Sequence, residues 1–209
     1  MDFQTEKGLI KEGYQYLVGV DEVGRGSLFG PVVAVAISFP SLFFSKKKPG
    51  WAAQVTDSKL LTPTKRLELT RVILEAASDF GVGYATHLEI DRLNIFWATQ
   101  LAMRRALEDL RGRPDMILVD GNPLKGIDYL QMAVPQGDRK VFSIAAASIV
   151  AKVFRDGLVT VLDDLYPGYN IRQHKGYATE DHYQALEKMG PCPLHRKSFR
   201  LYREKMLLK

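Results

Sequence analysis

Asp21 and Glu22 stand side by side where an apolar run ends, in the stretch VGVDEVGRGSLFGP over 18–31. Another acid, Asp120, closes the apolar run MILVD. In α/β sheets, ligand sites lie where strands end, so these acids are placed to meet. Like charges held together out of water are costly unless a cation neutralises them. A carboxylate cluster without His or Cys companions suits hard, oxygen-seeking ions, so magnesium or manganese fits better than zinc. Taken singly, each acid reads equally as a turn residue. Strand neighbours face opposite sides, so Asp21 and Glu22 can serve one site only if the strand ends or twists there. The glycines of VGRG supply that break. Asp138, in PQGDRK, reads alone as a loop acid. Asp156, four residues after Lys152, reads as half of a helical ion pair.

The elements that must position these acids follow from periodicity and punctuation. Strands are predicted over 16–20 and 32–37, close enough in sequence to pair. Thr62 as N-cap and Pro63 at the first helical position open a helix running to about 79. A strand over 82–86, a long helix over 94–111 and a short strand over 116–119 follow. The alanine-rich segment 143–165 is a long, central helix, and further helices are predicted near 179–189 and 199–208. Paired strands followed by strand–helix alternation indicate an α/β fold with a mixed sheet flanked by helices.

The 209 residues suit a single domain, with 171–209 as a basic helical extension. That extension holds nine Lys/Arg against four Asp/Glu, so the whole formal charge of +5 lies in it. This is the footprint of a polyanion binder or of a solvated face. Cys192 is the sole cysteine, which precludes an intramolecular disulfide and fits a reducing, cytoplasmic setting. The N-terminal MDFQTEKGLIKEG lacks the apolar core of a secretory signal. The uncharged stretch after Ser27 reads as a buried strand and not a membrane span, because Pro31 and Pro40 bracket its short β-branched core. No oligomer seam is evident, and a monomer is expected.

Six segments together resemble the bacterial ribonuclease HII family over nearly the whole chain. They are GVDEVGRGSLFGPVVAVA, DSKLLTPTKR, ILVDG, GDRKVFSIAAASIVAKVFRD, HKGYAT and GPCPLHRKSF, in that order. The resemblance implies a ribonuclease H-like fold with a C-terminal helical extension. It implies cleavage of the RNA strand of RNA–DNA hybrids and cleavage 5′ of single ribonucleotides embedded in duplex DNA, leaving 5′-phosphate and 3′-hydroxyl ends. By position, Asp21, Glu22, Asp120 and Asp138 become the ligands of Mn2+ or Mg2+, and Asp156 stays structural. Gly24, Arg25 and Gly26 would bring backbone groups to the sugar whose 2′-hydroxyl distinguishes RNA from DNA. Tyr177 would stack on the deoxyribose 3′ of the ribonucleotide, and Lys59 would contact a phosphate near the scissile bond. Where the family often has smaller residues, this chain has Ser27, Leu28 and Phe29, and Phe29 is expected to tighten the pocket wall.

Other features keep plainer readings. Lys46 to Lys48 read as a solvated loop, His195 as structural, and no rule makes His174 catalytic. The tail FRLYREKMLLK reads as an amphipathic helix whose basic residues follow a phosphate backbone. Two rivals remain. Ribonuclease HIII would call for an extra N-terminal domain and a different glycine loop. A silent nucleic-acid-binding module would have no reason to gather four carboxylates.

Overall fold

A computed structural model describes residues 2–202. Among them, five strands form one mixed sheet. β1 (Leu17–Val23) pairs antiparallel with β2 (Val32–Ser38), and β2 pairs antiparallel with β3 (Asp79–Ala85). On its other side β1 takes β4 (Met116–Asp120) in parallel, and β5 (Gln131–Val134) lies parallel beyond it. The order is therefore β3-β2-β1-β4-β5, the mixed sheet expected.

Two helical layers cover the sheet. α3 (Pro63–Ala76) and α5 (Phe142–Leu165) pack on one face, and α4 (His87–Glu108) packs on the other. β2 is buried along its whole length, which explains its unbroken apolar run. α5 lies unusually close to β1. A Cβ on Gly19 would meet the Ser143 carbonyl carbon at 2.3 Å, so only glycine admits the helix there. The N-terminus of α5 is capped from far away in sequence. Glu6, buried in α1 (Gln4–Lys11), accepts a hydrogen bond from the Ser143 N–H at 2.9 Å, and a carboxylate is favourable at a helix N-terminus.

Several boundaries differ from the sequence reading. β1 does not end at Val20. It runs through both acids, with Asp21 opposite Val35 and Glu22 opposite Ala34. α3 stops at Ala76, and Asp79 opens β3 instead of closing the helix. α4 begins seven residues before Asn94 and ends at Glu108. Asn94 is a break inside it, at φ 66°, with its Oδ1 accepting from the N–H groups of Phe96 and Trp97. The predicted helix over 199–208 is irregular as far as Tyr202, and its remainder lies outside the described residues. β5, α1, α2 (Ser41–Ser45) and α6 (Ile171–His174) were not foreseen, whereas α7 (Glu180–Met189) was. No helix among the described residues is long and apolar enough to cross a membrane.

The first turn of α4 is held by a capping box. Thr86 Oγ1 accepts from the Glu89 N–H, and Glu89 accepts from the Thr86 N–H in return. Arg105 grips the same carboxylate with two N–H groups at 2.7 and 3.0 Å. Arg105, with the Thr86 bonds, pulls the Glu89 pKa from 4.5 down to about 2. A depressed folded pKa gives stability that is complete above the unfolded value and lost as pH falls toward the folded one. Glu89→Gln is therefore expected to lower stability at neutral pH. Its deficit against wild type should shrink between pH 4.5 and about 2. Urea unfolding at pH 7 and pH 3 tests this, and an unchanged deficit would remove the ion pair from the account.

Candidate active site

The acids converge at the carboxyl ends of β1 and β4. On β1, Val18 and Val20 belong to the α4 side, and Gly19 lies against α5. By strand alternation Glu22 faces α4 and Asp21 faces α5. The two still share one site because β1 ends at Val23, directly after Glu22, and the cleft lies at that end. This cleft, of about 340 Å³, is lined by Asp21, Glu22, Asp120 and Asp138 together with Lys59, Lys152 and Tyr177. Val23, Ser58 and Ser148 complete its wall.

Asp21 and Asp120 are held by nearby groups. Asp21 is 5% exposed, is hydrogen-bonded by Ser148, and accepts from the Glu22 N–H at 2.8 Å. Ser148 Oγ lies 3.1 Å from Ser58 Oγ, which ties the DSK loop to the same group. Asp120 Oδ1 accepts from the Gly137 N–H at 2.6 Å, and so aligns the loop bearing Asp138. Arg139 in that loop donates to buried Asp57 at 2.8 and 3.1 Å, while Asp57 also accepts from the Lys59 N–H. The DSK and GDR loops are thus clamped to each other across the cleft.

The electrostatics call for a cation. Burial, then the charges of Glu22 and Asp120, push the Asp21 carboxyl well above its usual range. Burial and Asp120 also raise Glu22, although Arg25 opposes this at 3.3 Å. Burial, Asp120 and Asp57 raise Asp138. Carboxylates that resist ionisation in one cleft are a donor set for a hard divalent ion. Among the described residues no three such side chains form a ready-made cage.

The glycine loop lies beside the cleft and not in its wall. Arg25 lines an adjoining recess with Glu22, Asp120, Phe96 and Gln100. Gly24 is buried and Gly26 exposed. Two arginines hold the loop from beneath, and neither was singled out from the sequence. Arg196 is fully buried and donates to the carbonyls of Gly24, Arg25 and Gly30 at 2.8–2.9 Å. Arg155, equally buried, donates to the carbonyls of Phe29, Pro31 and Lys175. A Cβ on Gly24, at φ +96°, would fall 2.0 Å from Arg155 Nε. Phe29 does not tighten the pocket wall. It is wholly buried, packed edge-on against His195 at 5.3 Å.

The family model described as Ribonuclease HII aligns with residues 18–202. The chain belongs to the ribonuclease HII family. The Ribonuclease HII of Clostridioides difficile (strain 630) is 48% identical over 90% of this chain and 71% of that protein. That of Geobacter sulfurreducens is 46% identical over 97% of this chain and 89% of that protein. Among solved structures, the ribonuclease H2 of Pyrococcus horikoshii OT3 superposes with a TM-score of 0.73, at 26% identity over 88% of this chain and 94% of that one. The chain is accordingly an enzyme, an endonuclease of the ribonuclease H class.

Within this ribonuclease HII chain, Asp156 behaves as read, accepting from Lys152 Nζ at 2.8 Å. Part of the basic extension's charge, among its described residues, is turned inward or paired. Arg196 is turned inward, and Arg172 pairs with Asp163 and Asp164. The available signal for Arg155 and Arg196 was their place inside the fourth and sixth family segments, where each had counted only as surface charge or motif filler.

Proposed function

We propose that this ribonuclease HII cuts the RNA strand of RNA–DNA hybrids and cuts 5′ of single ribonucleotides in duplex DNA, leaving 5′-phosphate and 3′-hydroxyl ends. The observation that carries the reading is the meeting of four carboxylates from β1, β4 and the Gly137–Arg139 turn in one cleft with Lys59, Lys152 and Tyr177. Asp21, Glu22, Asp120 and Asp138 would hold Mg2+ or Mn2+. A Bst ribonuclease HIII of the same fold is known in complex with Mn2+. When bound, divalent ions supply activation of a water and charge for the leaving oxygen.

The chain's own groups do the rest. Lys59 and Lys152 offer ammonium groups to phosphates beside the acids, as a backbone-positioning contact requires. Tyr177 would present its ring to the deoxyribose 3′ of the ribonucleotide, backed by Lys152 and Arg155 at 5.3 and 5.4 Å from the ring centre. With the Gly24 and Arg25 carbonyls turned inward onto Arg196, the loop presents exposed Arg25 and Gly26 to the 2′-hydroxyl and its phosphate.

The test is cleavage of labelled duplex DNA carrying one ribonucleotide, with Mg2+ or Mn2+, with chelator, and beside an all-DNA duplex and a long hybrid. A metal-dependent cut 5′ of the ribonucleotide, absent from all-DNA, is the expected result. Cutting of the hybrid alone would overturn the junction reading. Binding without any cutting would favour a silent module.

A further inference from the structure

Tyr177 is held by its backbone through a chain of buried histidines. Its N–H donates to the His174 carbonyl at 3.0 Å. Its carbonyl accepts from the Thr179 N–H at 2.9 Å and lies 2.9 Å from His182 Nδ1. Behind it, His182 Nε2 and His195 Nε2 face each other at 3.0 Å. Both rings are completely buried.

The hydrogen positions in this chain follow from one backbone group. The Cys192 N–H can only donate, and it reaches His195 Nδ1 at 3.0 Å. His195 Nδ1 is therefore the bare nitrogen, and a neutral imidazole then carries its hydrogen on Nε2. That hydrogen points at His182 Nε2, which must accept. His182 thus carries its own hydrogen on Nδ1 and donates it to the Tyr177 carbonyl. The neighbouring His174 is set in the same way. It accepts from the Gly176 N–H at Nδ1, so its Nε2 donates to the Tyr169 carbonyl, and its ring stacks on His182 at 4.4 Å. Burial pushes His182 and His195 down to about 4, so both are neutral at physiological pH and the direction of the chain is fixed.

The same chain reaches the glycine loop. The Leu28 N–H donates to the Gly176 carbonyl, the Arg196 N–H donates to the Leu28 carbonyl, and the Gly30 N–H donates to the Leu194 carbonyl. Ser27 bridges to Tyr177 and Phe29 to His195. Tyr177 and the residues that follow Gly26 are therefore registered against each other through the His195 segment. A core filler would need no polar atoms here. Two imidazoles buried without a counter-charge are costly unless every nitrogen is satisfied, and these end on the backbone of Tyr177, an aromatic residue of the cleft wall.

We propose that His182 and His195 are positioning residues which set Tyr177 against the glycine loop, and so govern recognition of the ribonucleotide–deoxyribonucleotide junction without entering the hydrolysis. The inference rests on the reading of Tyr177 given under the proposed function.

The test measures the ratio of cleavage at a single embedded ribonucleotide to cleavage of a long RNA–DNA hybrid. His182→Leu is expected to lower that ratio by about tenfold or more, since small misplacements of a positioning contact cost up to about a hundredfold. His182→Asn, which keeps a donor near Nδ1, should recover most of it. His195→Gln, which keeps a donor near Nε2, should retain it. Nitrogen-15 NMR of the wild-type protein should show the Nδ1–H tautomer at His182 and the Nε2–H tautomer at His195, a readout that needs neither a folded variant nor activity. The opposite tautomers would overturn the proposal, as would equal losses on both substrates with no rescue by asparagine. Tyr177→Ala separates the two readings. If it lowers the ratio and His182→Leu does not, only the positioning role fails. If it leaves the ratio unchanged, the junction reading of Tyr177 fails and the positioning role with it.

Discussion

Asp120→Asn is expected to reduce metal-dependent cleavage by at least about a thousandfold while leaving duplex binding within a few-fold. The charge that divalent ions bring to a phosphodiester cleavage is worth several kcal/mol, and each 1.36 kcal/mol is about a factor of ten in rate. Asparagine keeps the shape and still offers an oxygen to the Gly137 N–H, so the loop bearing Asp138 should stay in place. What disappears is a negative charge that adds to burial in raising Asp21, Glu22 and Asp138 above their usual ranges. The metal-free variant should therefore melt no lower than wild type, because a like-charge repulsion has been relieved. Single-turnover cleavage, fluorescence anisotropy with labelled duplex and a thermal melt test the three parts. A variant that cuts normally would remove Asp120 from the site.

Arg196→Met should be the most damaging change away from the acids. The guanidinium is fully buried, donates to three carbonyls and forms no ion pair among the described residues. Burial and the charge of Arg155 lower its pKa to about 9, which leaves it charged at neutral pH. Two effects compete when it is removed. The desolvation of an unpaired cation is relieved, but three carbonyls lose their donor, and the two that are buried cost about 1–3 kcal/mol each. The carbonyl side is expected to win, because the fork of an arginine satisfies all three at once. A net loss of about 3 kcal/mol is anticipated. Arg196→Lys should recover little, since an ammonium on a flexible stem cannot reproduce that fork. Urea unfolding reads the stability. Junction cleavage should fall with it, because Gly24 and Arg25 lose their anchor. A midpoint indistinguishable from wild type would show that the loop holds itself.

Much of the fold was legible because its signals are local. Thr62 caps α3 through Lys65 N at 3.2 Å, and Thr179 caps α7, both at the positions where the sequence placed helix starts. The reading at Asn94 was instructive in its error. Asn94 does cap the helical turns that follow it, which is the signal the sequence carries. The turns before it are held by Thr86, Glu89 and a distant Arg105, and no local rule joins the two segments. β5 escaped notice because Gln131–Val134 is a short edge strand defined by pairing with β4. β1 was cut short for the same reason. Acids disfavour a strand locally, and it is the ladder to β2 that carries it through Asp21 and Glu22.

The sequence by itself determined the chemistry on offer: acids at the ends of two apolar strands, a glycine loop beside the first of them, and six family segments in order. These are properties of residue type and near spacing, which short-range propensities and a family resemblance can express. Only the tertiary structure decided how the loop and Tyr177 are held. Arg196 reaches Gly24 across 172 residues of chain, and Arg155 reaches Pro31 across 124. The direction of the histidine chain likewise depends on a backbone N–H that meets a ring only after folding. A buried polar group must find its partner wherever the fold brings one. Its identity is therefore written in the packing of the whole chain and not in the residues around it.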